Sequence, residues 1–359
     1  MQLYRTSIVN AAIPMPNGVA DTALSEGSSL RNHGALLTPQ RRDLGPRHLR
    51  PNRSRRPLFL NLIGGLILVS GAAVVGCGTS GEGRGAGPAE TDAIEFARLP
   101  EWDDGLAELC YYDAIDTIYS EPRSYTRVML MNREWLNPGQ MVKTERTKDA
   151  SSLPVFKMNL IEEIPTQNYN YRYMVTTFLG RPDLRLEKLA ASSQEWCGVT
   201  FKRLARRTDG LALDTFSYFE GEADRHWTLP ADDAVYPVEA VFALARQVAS
   251  TGKAMRLQLL PTMRSTHTCE PALTACALSR EASRRCVCAP FGDVQTHRIT
   301  LAEASGTWIA SYDVEAAAPY RIIRYEDRDN LRLTLRFAER RAYWDRNQPS
   351  RFYPQGKAP

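Results

Sequence analysis

Short runs in which apolar and polar residues alternate follow one another along most of the chain after residue 106. They are rich in Val, Ile, Thr, Tyr and Phe, and turn-forming segments such as 121–123 and 208–210 separate them. Alternation puts one side of a strand in a core and the other in water, so the pattern predicts an antiparallel β-meander. The predicted strands are 107–119, 125–135, 155–164, 185–193, 195–204, 211–219, 255–260, 296–301, 307–314, 320–325 and 331–337.

One segment has helical periodicity instead. In residues 237–250, PVEAVFALARQVAS, apolar residues recur every three or four positions from Val238 to Val248, and Gly252 follows. We expect this helix to pack against the sheet. The predicted fold class is therefore mainly β: a curved antiparallel sheet or incomplete barrel with one helix packed against it.

The longest apolar run, residues 58–77, has no charged residue and follows three arginines within residues 53–56. A basic flank, an apolar stretch and small residues before a cleavage point are the features of a secretory signal. Its last four residues, Val-Val-Gly-Cys, resemble the lipobox of bacterial lipoproteins, which implies that Cys77 carries a lipid. The alternative is an uncleaved membrane anchor, since about 18 apolar residues can cross a bilayer. Both alternatives place residues 78–359 outside the cytoplasm.

These features divide the chain into four parts. Residues 1–57 are a leader that is either disordered or upstream of the true translation start. Residues 58–77 are the signal helix and lipobox, and the Gly-rich residues 78–92 are a flexible tether. Residues 93–359 are expected to form a single β-rich domain. Gly78, next to the lipidated position, favours the outer membrane under the sorting rule of enteric lipoproteins, so we expect a lipid-anchored envelope protein that faces the periplasm.

The positive charge of the chain belongs to its leader. Of 45 basic and 41 acidic residues, nine and three precede residue 57, which leaves 36 and 38 in residues 77–359. A nucleic-acid-binding domain would be expected to carry a basic face. We therefore expect no nucleic-acid partner, and a membrane contact made through the N-terminal lipid.

Seven cysteines are compatible with an oxidising compartment. Four of them crowd the segment 265–290, which predicts a loop stapled by disulfides. Zinc is the alternative, but the spacing lacks the usual closely spaced pairs of zinc sites. Cys110 and Cys197 are either a long-range pair or two buried thiols. The four predicted disulfide cysteines are Cys269, Cys276, Cys286 and Cys288.

A catalytic alternative rests on Cys197. His226 would act as its base and Glu220 or Glu222 would orient the histidine, because a thiol needs a base or a cationic neighbour to become a thiolate. Calcium binding by Glu220, Glu222 and Asp224 is a further alternative to a plain polar turn. The chain has no Walker loop, Gly-x-Gly-x-x-Gly, His-Glu-x-x-His or Gly-x-Ser-x-Gly motif, so no cofactor or metal is expected.

A ligand-binding surface is the preferred interpretation of several polar and aromatic residues. Residues two apart on a strand share a face, so Lys157 and Asn159 lie together, as do tyrosines 169 to 173 if that segment is extended. Such residues suit the wall of a concave pocket, although a packed tyrosine-rich face is the simpler alternative. The candidate ligand-binding residues are Lys157, Asn159, Tyr169, Tyr171, Gln194, Glu195 and Trp196.

A family resemblance rests on four segments: Lys157-Met158-Asn159, Tyr169-Asn170-Tyr171, residues 194–198 (QEWCG) and residues 217–222 (SYFEGE). Together they resemble a group of uncharacterised bacterial exported lipoproteins, whose members are sometimes labelled Maf-type septum formation inhibitors. The order of elements is also similar to an exported incomplete-β-barrel domain of unknown function, related in shape to periplasmic lipoprotein carriers. The resemblance implies a fold and a compartment but no activity.

Three functions are compatible with these observations. The first is non-enzymatic binding of an apolar ligand, such as a lipid or acyl chain, in the concave side of the sheet. The second is a cysteine-dependent hydrolase or transferase that uses Cys197. The third is a scaffold that pairs with another envelope protein. We expect a binding protein rather than an enzyme.

Overall fold

The computed structural model describes residues 95–144, 151–230 and 232–348. The predicted leader, signal, tether and lipidated Cys77 lie outside these residues. Across the described ranges, no helix combines the length and apolarity needed to span a membrane.

The described residues form sixteen strands in a single sheet and one α-helix. Short 3-10 turns occupy Phe96–Arg98, Pro100–Asp103 and Val238–Ala240, and the helix α1 is Val241–Thr251. The strands are β1 Ala107–Ile118, β2 Glu121–Asn137, β3 Val142–Lys143, β4 Leu153–Pro165, β5 Asn170–Gly180, β6 Leu186–Glu195, β7 Gly198–Arg207, β8 Gly210–Phe216, β9 Asp224–Leu229, β10 Val235–Pro237, β11 Met255–Leu260, β12 Thr274–Ala289, β13 Gly292–Glu303, β14 Trp308–Glu315, β15 Ile322–Asp327 and β16 Arg332–Arg341.

The sheet is an antiparallel meander that curls on itself. Its order is β10-β11-β12-β13-β14-β15-β16-β1-β2-β4-β5-β6-β7-β8-β9, with β3 paired to β2, and only β10 and β11 run parallel. The two edge strands, β9 and β10, are consecutive in the chain. The six residue steps from Leu229 to Val235 span at most about 22 Å, so the sheet must curve until its edges lie near each other. This arrangement confirms the predicted curved sheet or incomplete barrel.

Three strands of six or more residues are not among the predicted strands: β5, β9 and β12. The predicted cysteine-rich loop 265–290 is wrong for most of its length, because β12 occupies Thr274–Ala289 and pairs with β13. The ends of β12 have buried residues, but every side chain from Glu281 to Cys286 is exposed. Because neither face of this middle part is buried, it has no apolar alternation, and its sequence therefore looks like a loop.

The predicted helix is confirmed, with its α-helical part at Val241–Thr251. Nine of its eleven residues are buried, so the helix is enclosed on nearly every side. It packs against β12, β13 and β14, where the ring of Phe242 lies 5.4 Å from that of Tyr312 and 5.0 Å from that of Tyr325. A helix enclosed in this way fills part of the concave, inner side of the sheet.

A buried ion pair fastens α1 to the middle of the sheet. Arg246 donates to both carboxylate oxygens of Glu108 on β1, at 2.6 and 3.1 Å, and to the carbonyl of Pro319 at 2.8 Å. The two side chains are 3% and 4% exposed. The guanidinium also lies over the ring of Phe96, 4.4 Å from its centroid. The helix is thus tied to β1 and to the N-terminal 3-10 turn by one side chain.

Replacing Glu108 with Gln is expected to lower the free energy of unfolding by about 3–5 kcal/mol, because Arg246 then stays buried without its counter-charge. Urea unfolding followed by far-UV circular dichroism measures this loss. The exposed pair of Arg172 and Glu163 supplies the control, and Glu163→Gln should cost less than about 1 kcal/mol. The double variant Glu108→Leu with Arg246→Met should be more stable than Glu108→Gln alone; the opposite order contradicts the interpretation.

Candidate functional site

The concave side of the sheet is occupied by a chain segment as well as by α1. The segment joins β11 to β12 and comprises residues 261–273, which we call the inner loop. Arg264 of this loop contacts Glu162 and donates to Asp116 at 2.6 Å and to Tyr125 at 3.0 Å. Arg127 reaches the other oxygen of Glu162 at 2.5 Å. Two arginines and two carboxylates thus form a neutral cluster between the inner loop and strands β1, β2 and β4.

The cluster keeps Glu162 ionised. Burial by itself would raise the pKa of Glu162, but the attraction of Arg127 and Arg264 outweighs it and holds that pKa below its ordinary value. The same carboxylates raise the pKa of Arg264, although burial acts against its charge. All of these charges are satisfied within the protein, so the cluster is best explained as the anchor of the inner loop.

Further hydrogen bonds hold the inner loop along its length. Glu239, at the start of the helical segment, accepts from the backbone N–H groups of Met263 and Arg264 at 2.8 and 3.0 Å. From the opposite side, Lys202 on β7 donates to the carbonyls of Met263 and Ser265 at 3.2 and 2.8 Å. The inner loop is therefore bonded both to the helical segment and to the sheet.

Little room remains beside the inner loop. The cavity there has a volume of about 20 Å³, counted over positions that the centre of a water molecule can occupy. This is room for about one water molecule. Its walls are Lys202, Leu213, Thr215, Pro261, Thr262, Met263, Thr268, Cys269 and Pro271. An acyl chain does not fit in such a space, so this part of the concave side does not provide the expected apolar pocket.

Lys157 and Asn159 do not share a surface with the tyrosines, contrary to the expectation of a common concave wall. Glu162 and Tyr173 are opposite each other in the register of β4 and β5, and both point to the inner side. Side chains alternate between the two faces along a strand. Asn159, which is three positions before Glu162 and opposite Thr176, therefore lies on the outer face, as does Lys157. Lys157 forms an ion pair with Glu134 at 3.2 Å. Residue spacing predicts which side chains share a face but not which face is inside.

The three other segments of the resemblance meet at one end of the sheet. In a meander the turns β1–β2, β4–β5, β6–β7 and β8–β9 all lie at the same end, and residues 169–171, 194–198 and 217–222 are within or beside them. Gln194 is exposed on the outer face next to this end, opposite Val199. We call the aromatic side chains gathered here the aromatic rim: Tyr119, Tyr169, Tyr171, Trp196 and Tyr218.

The rim is a chain of ring contacts that ends in an exposed tryptophan. The rings of Tyr169 and Trp196 are stacked, 5.3 Å apart and 13° from parallel. Tyr171 continues the row at 5.5 Å from Tyr169, and Tyr119 follows at 6.1 Å from Tyr171. Trp196 is nevertheless 82% exposed, so its outer ring face is free to stack against another molecule.

Tyr218 joins the rim by packing on backbone. A Cβ atom added to Gly198 would lie 2.5 Å from Cδ1 of Tyr218, so the tyrosine ring covers the position that a larger residue would use. Tyr218 is 70% exposed. The glycine of the QEWCG segment and the tyrosine of the SYFEGE segment are thus explained by one contact.

An apolar row extends from the rim across the outer face. Strand register places Ile161 opposite Met174, Met174 opposite Ser192, Ser192 opposite Phe201 and Phe201 opposite Phe216. The four apolar members are between 36% and 45% exposed. Ser192 separates the pair Ile161 and Met174 from the pair Phe201 and Phe216. Exposed apolar groups that lie this close together are typical of an interaction site.

Carboxylates border the rim. Glu195 accepts from the hydroxyl of Tyr169 at 3.4 Å. Glu220 and Asp224 are exposed and have no ion-pair partner among the described residues. Glu222 is held in place by Ser217 at 2.6 Å and by His267 at 2.5 Å. Burial would raise the pKa of Glu222, but these hydrogen bonds outweigh it and lower the pKa, so the border is negatively charged.

The structure does not bring the predicted catalytic residues together. The sulphur of Cys197 lies 2.8 Å from the hydroxyl of Tyr169, whereas Nδ1 of His226 is paired with Asp214 at 2.7 Å on the outer face. Glu220 contacts neither of them. The histidine that a rim carboxylate does orient is His267, 45 residues further along the chain from Glu222, and the sequence spacing gives no signal of that pair.

All six described cysteines are free thiols, so the predicted disulfides are not formed. Cys276 and Cys286 lie on the same strand ten residues apart, which separates their Cα atoms by about 30 Å. A disulfide requires about 4.4–6.8 Å. Cys110 is buried and Cys197 is exposed, so they are not two buried thiols either.

No metal site accompanies the acidic segment. Among the residues that the structure describes, no group of three or more His, Cys, Asp or Glu side chains is arranged to hold an ion. The calcium alternative on Glu220, Glu222 and Asp224 therefore has no ligand cluster to support it.

Comparisons with known proteins leave the activity open. No protein-family model and no curated protein matches the sequence. Among solved structures, the chain is similar to the crystal structure of a β-barrel-like protein of the domain of unknown function DUF1849 from Brucella abortus. The match has 10% identity and a TM-score of 0.41, and covers 66% of this chain and 98% of that one. A likeness of this strength carries no argument about function.

The buried amine of Lys202 should make the free energy of unfolding depend on pH. Burial lowers the pKa of Lys202 to about 8 from 10.5. The native protein therefore loses this proton at a lower pH than the unfolded chain, and the free energy of unfolding should rise between pH 8 and 10.5 by up to about 3 kcal/mol from this group. Urea unfolding at several pH values measures the rise.

Lys202→Met should remove that rise, whatever its effect on absolute stability. The exposed Lys253 provides the matched control, and Lys253→Met should keep the wild-type pH dependence. Equal pH dependence in the wild type and Lys202→Met would show that Lys202 does not titrate in this range.

Proposed function

We propose that this protein is a lipid-anchored component of the bacterial cell envelope that binds another envelope protein through the aromatic rim. The observation that carries the proposal is the meeting of the three segments 169–171, 194–198 and 217–222 at one end of the sheet, where they expose Trp196 and Tyr218. Exposed aromatic residues of this kind dominate the binding energy of many protein interfaces.

The chemistry of the rim favours a partner with cationic side chains. Ring faces of Trp and Tyr attract Lys and Arg cations, and the unpaired carboxylates of Glu220 and Asp224 lie within or just after the segment that carries Tyr218. The same carboxylates would be repelled by an anionic membrane surface. A protein segment that combines apolar with Lys or Arg side chains therefore fits the rim better than a lipid headgroup layer does.

Binding inside the sheet is the less favoured function. The inner loop and α1 take up the concave side of the described residues, and the space beside Lys202 is about 20 Å³. Catalysis by Cys197 lacks support as well, because His226 is paired with Asp214. Of the three functions that are compatible with the sequence, binding of a protein partner is therefore the one that we favour.

The rim proposal predicts selective binding of cationic apolar peptides. A fluorescein-labelled peptide of alternating arginine and leucine should bind the protein, as measured by fluorescence anisotropy, and Trp196→Ala should weaken binding at least tenfold, about 1.4 kcal/mol. Trp344 is also exposed, at 57%, and Trp344→Ala is the matched control that should bind like the wild type.

The charge dependence is tested in the same assay. Glu220→Gln combined with Asp224→Asn should weaken binding of the arginine peptide, and the corresponding glutamate-leucine peptide should bind poorly. Equal affinity for the two peptides, no binding of either, or equal losses in Trp196→Ala and Trp344→Ala would each contradict the proposal.

The anchoring part of the proposal rests on the apolar run and on Cys77. Cells grown with an alkyne-labelled fatty acid should label the wild-type protein, and Cys77→Ser should abolish the label while the domain stays accessible to protease in spheroplasts. Cys197→Ser is the control and should keep the label. Labelling of Cys77→Ser at the wild-type level would overturn lipidation at this residue and leave export untouched.

A further inference from the structure

We propose that Cys286 and Cys288, on the β12–β13 hairpin, form a two-thiol site for a soft monovalent cation, Cu(I). Both thiols are free and exposed. They are two residues apart on one strand, so their side chains point to the same face. The site is separate from the aromatic rim, and the proposal does not depend on the function proposed above.

The hairpin holds the two thiols in place. Val287, between them, is 5% exposed and packs into the core, which turns both neighbours outward. Ala289 pairs with Gly292 across a two-residue turn, so the strand ends in a tight hairpin just beyond Cys288. The thiols therefore lie on regular, paired backbone rather than on a free loop.

The spacing suits a bridging atom better than a disulfide. The Cα atoms of residues two apart on a strand are about 6.6 Å from each other, and so are Cβ atoms that point the same way. A disulfide brings the Cβ atoms to about 3.5–4.5 Å, which this strand cannot do without breaking its pairing. If the metal–thiolate bonds are close to the roughly 2.3 Å of zinc–thiolate bonds, a bridging ion lets the two sulphur atoms stay up to about 4.6 Å apart. Small inward rotations of both side chains reach that distance.

A site made of two thiols favours Cu(I) over other metal ions. Thiolates are soft ligands that favour Cu(I), and Cu(I) is stable with two of them. Within the described residues no third His, Cys, Asp or Glu completes a cluster, whereas zinc sites in proteins use three or four protein ligands. The opposing residues, Gln295 and Asp293, leave the thiol pair open to solvent on the exposed strand.

A cation beside the pair suits the charge of the complex. Binding of one Cu(I) by two thiols releases two protons to solvent and leaves a bis-thiolate complex with one negative charge. The guanidinium of Arg324 donates to the backbone carbonyl of Cys288 at 2.5 Å. Its positive charge offsets part of the negative charge of the complex and of Asp293, which pairs with Cys288 across the hairpin.

The test is an anaerobic titration of the reduced full-length protein with Cu(I) in the presence of the coloured chelator bicinchoninate. We expect one equivalent of Cu(I) to be withdrawn from the chelator, and Cys286→Ser and Cys288→Ser each to weaken this binding at least tenfold. Cys269→Ser, Cys197→Ser and Cys77→Ser are the matched controls and should bind like the wild type. Far-UV circular dichroism verifies that each variant is folded.

Three results would overturn the proposal. The first is a wild-type protein that fails to compete with the chelator. The second is unchanged affinity in either Cys286→Ser or Cys288→Ser. The third is an equal loss in one of the control variants, which would assign the ion to another thiol.

Discussion

The pairing of Glu162 with Arg127 and Arg264 is the interaction on which the interior depends. A sheet whose edges lie close together needs a filling, and here one half is filled by the apolar helix α1 and the other by the polar inner loop. A loop in such a place is costly unless its polar groups are satisfied. Glu162 meets that condition by bonding Arg264 from the loop and Arg127 from the sheet at once.

Because the described interior is largely filled, the proposed binding surface lies on the outside of the domain. The concave side has no space for an acyl chain beside Lys202, so the residues with recognition chemistry are those at the hairpin turns. Trp196 and Tyr218 contribute little to the core, since most of their surface is in water. Changes at the rim should therefore alter binding without unfolding the domain, whereas changes at Glu108 or Glu162 act on stability.

Much of the fold follows from local pattern. Period-two alternation predicts most of the strands and period-three-to-four spacing predicts α1, because burial of one face imposes those periods on the sequence. The same rule explains the failure at β12, whose side chains are mostly exposed. Cysteine density suggested a stapled loop there, but a regular strand keeps Cys276 and Cys286 too far apart to bridge.

The sequence by itself determined the fold class, the position of the helix and the separation of the apolar run 58–77 from a nearly neutral remainder of the chain. Only the tertiary structure decided that Lys157 and Asn159 face outward, that the inner loop fills the sheet and that three distant segments share one rim. The physical reason is that periodicity shows which residues share a face. Strand register and the common end of alternate hairpins decide where each face and each turn lies, and these depend on pairing across the whole sheet.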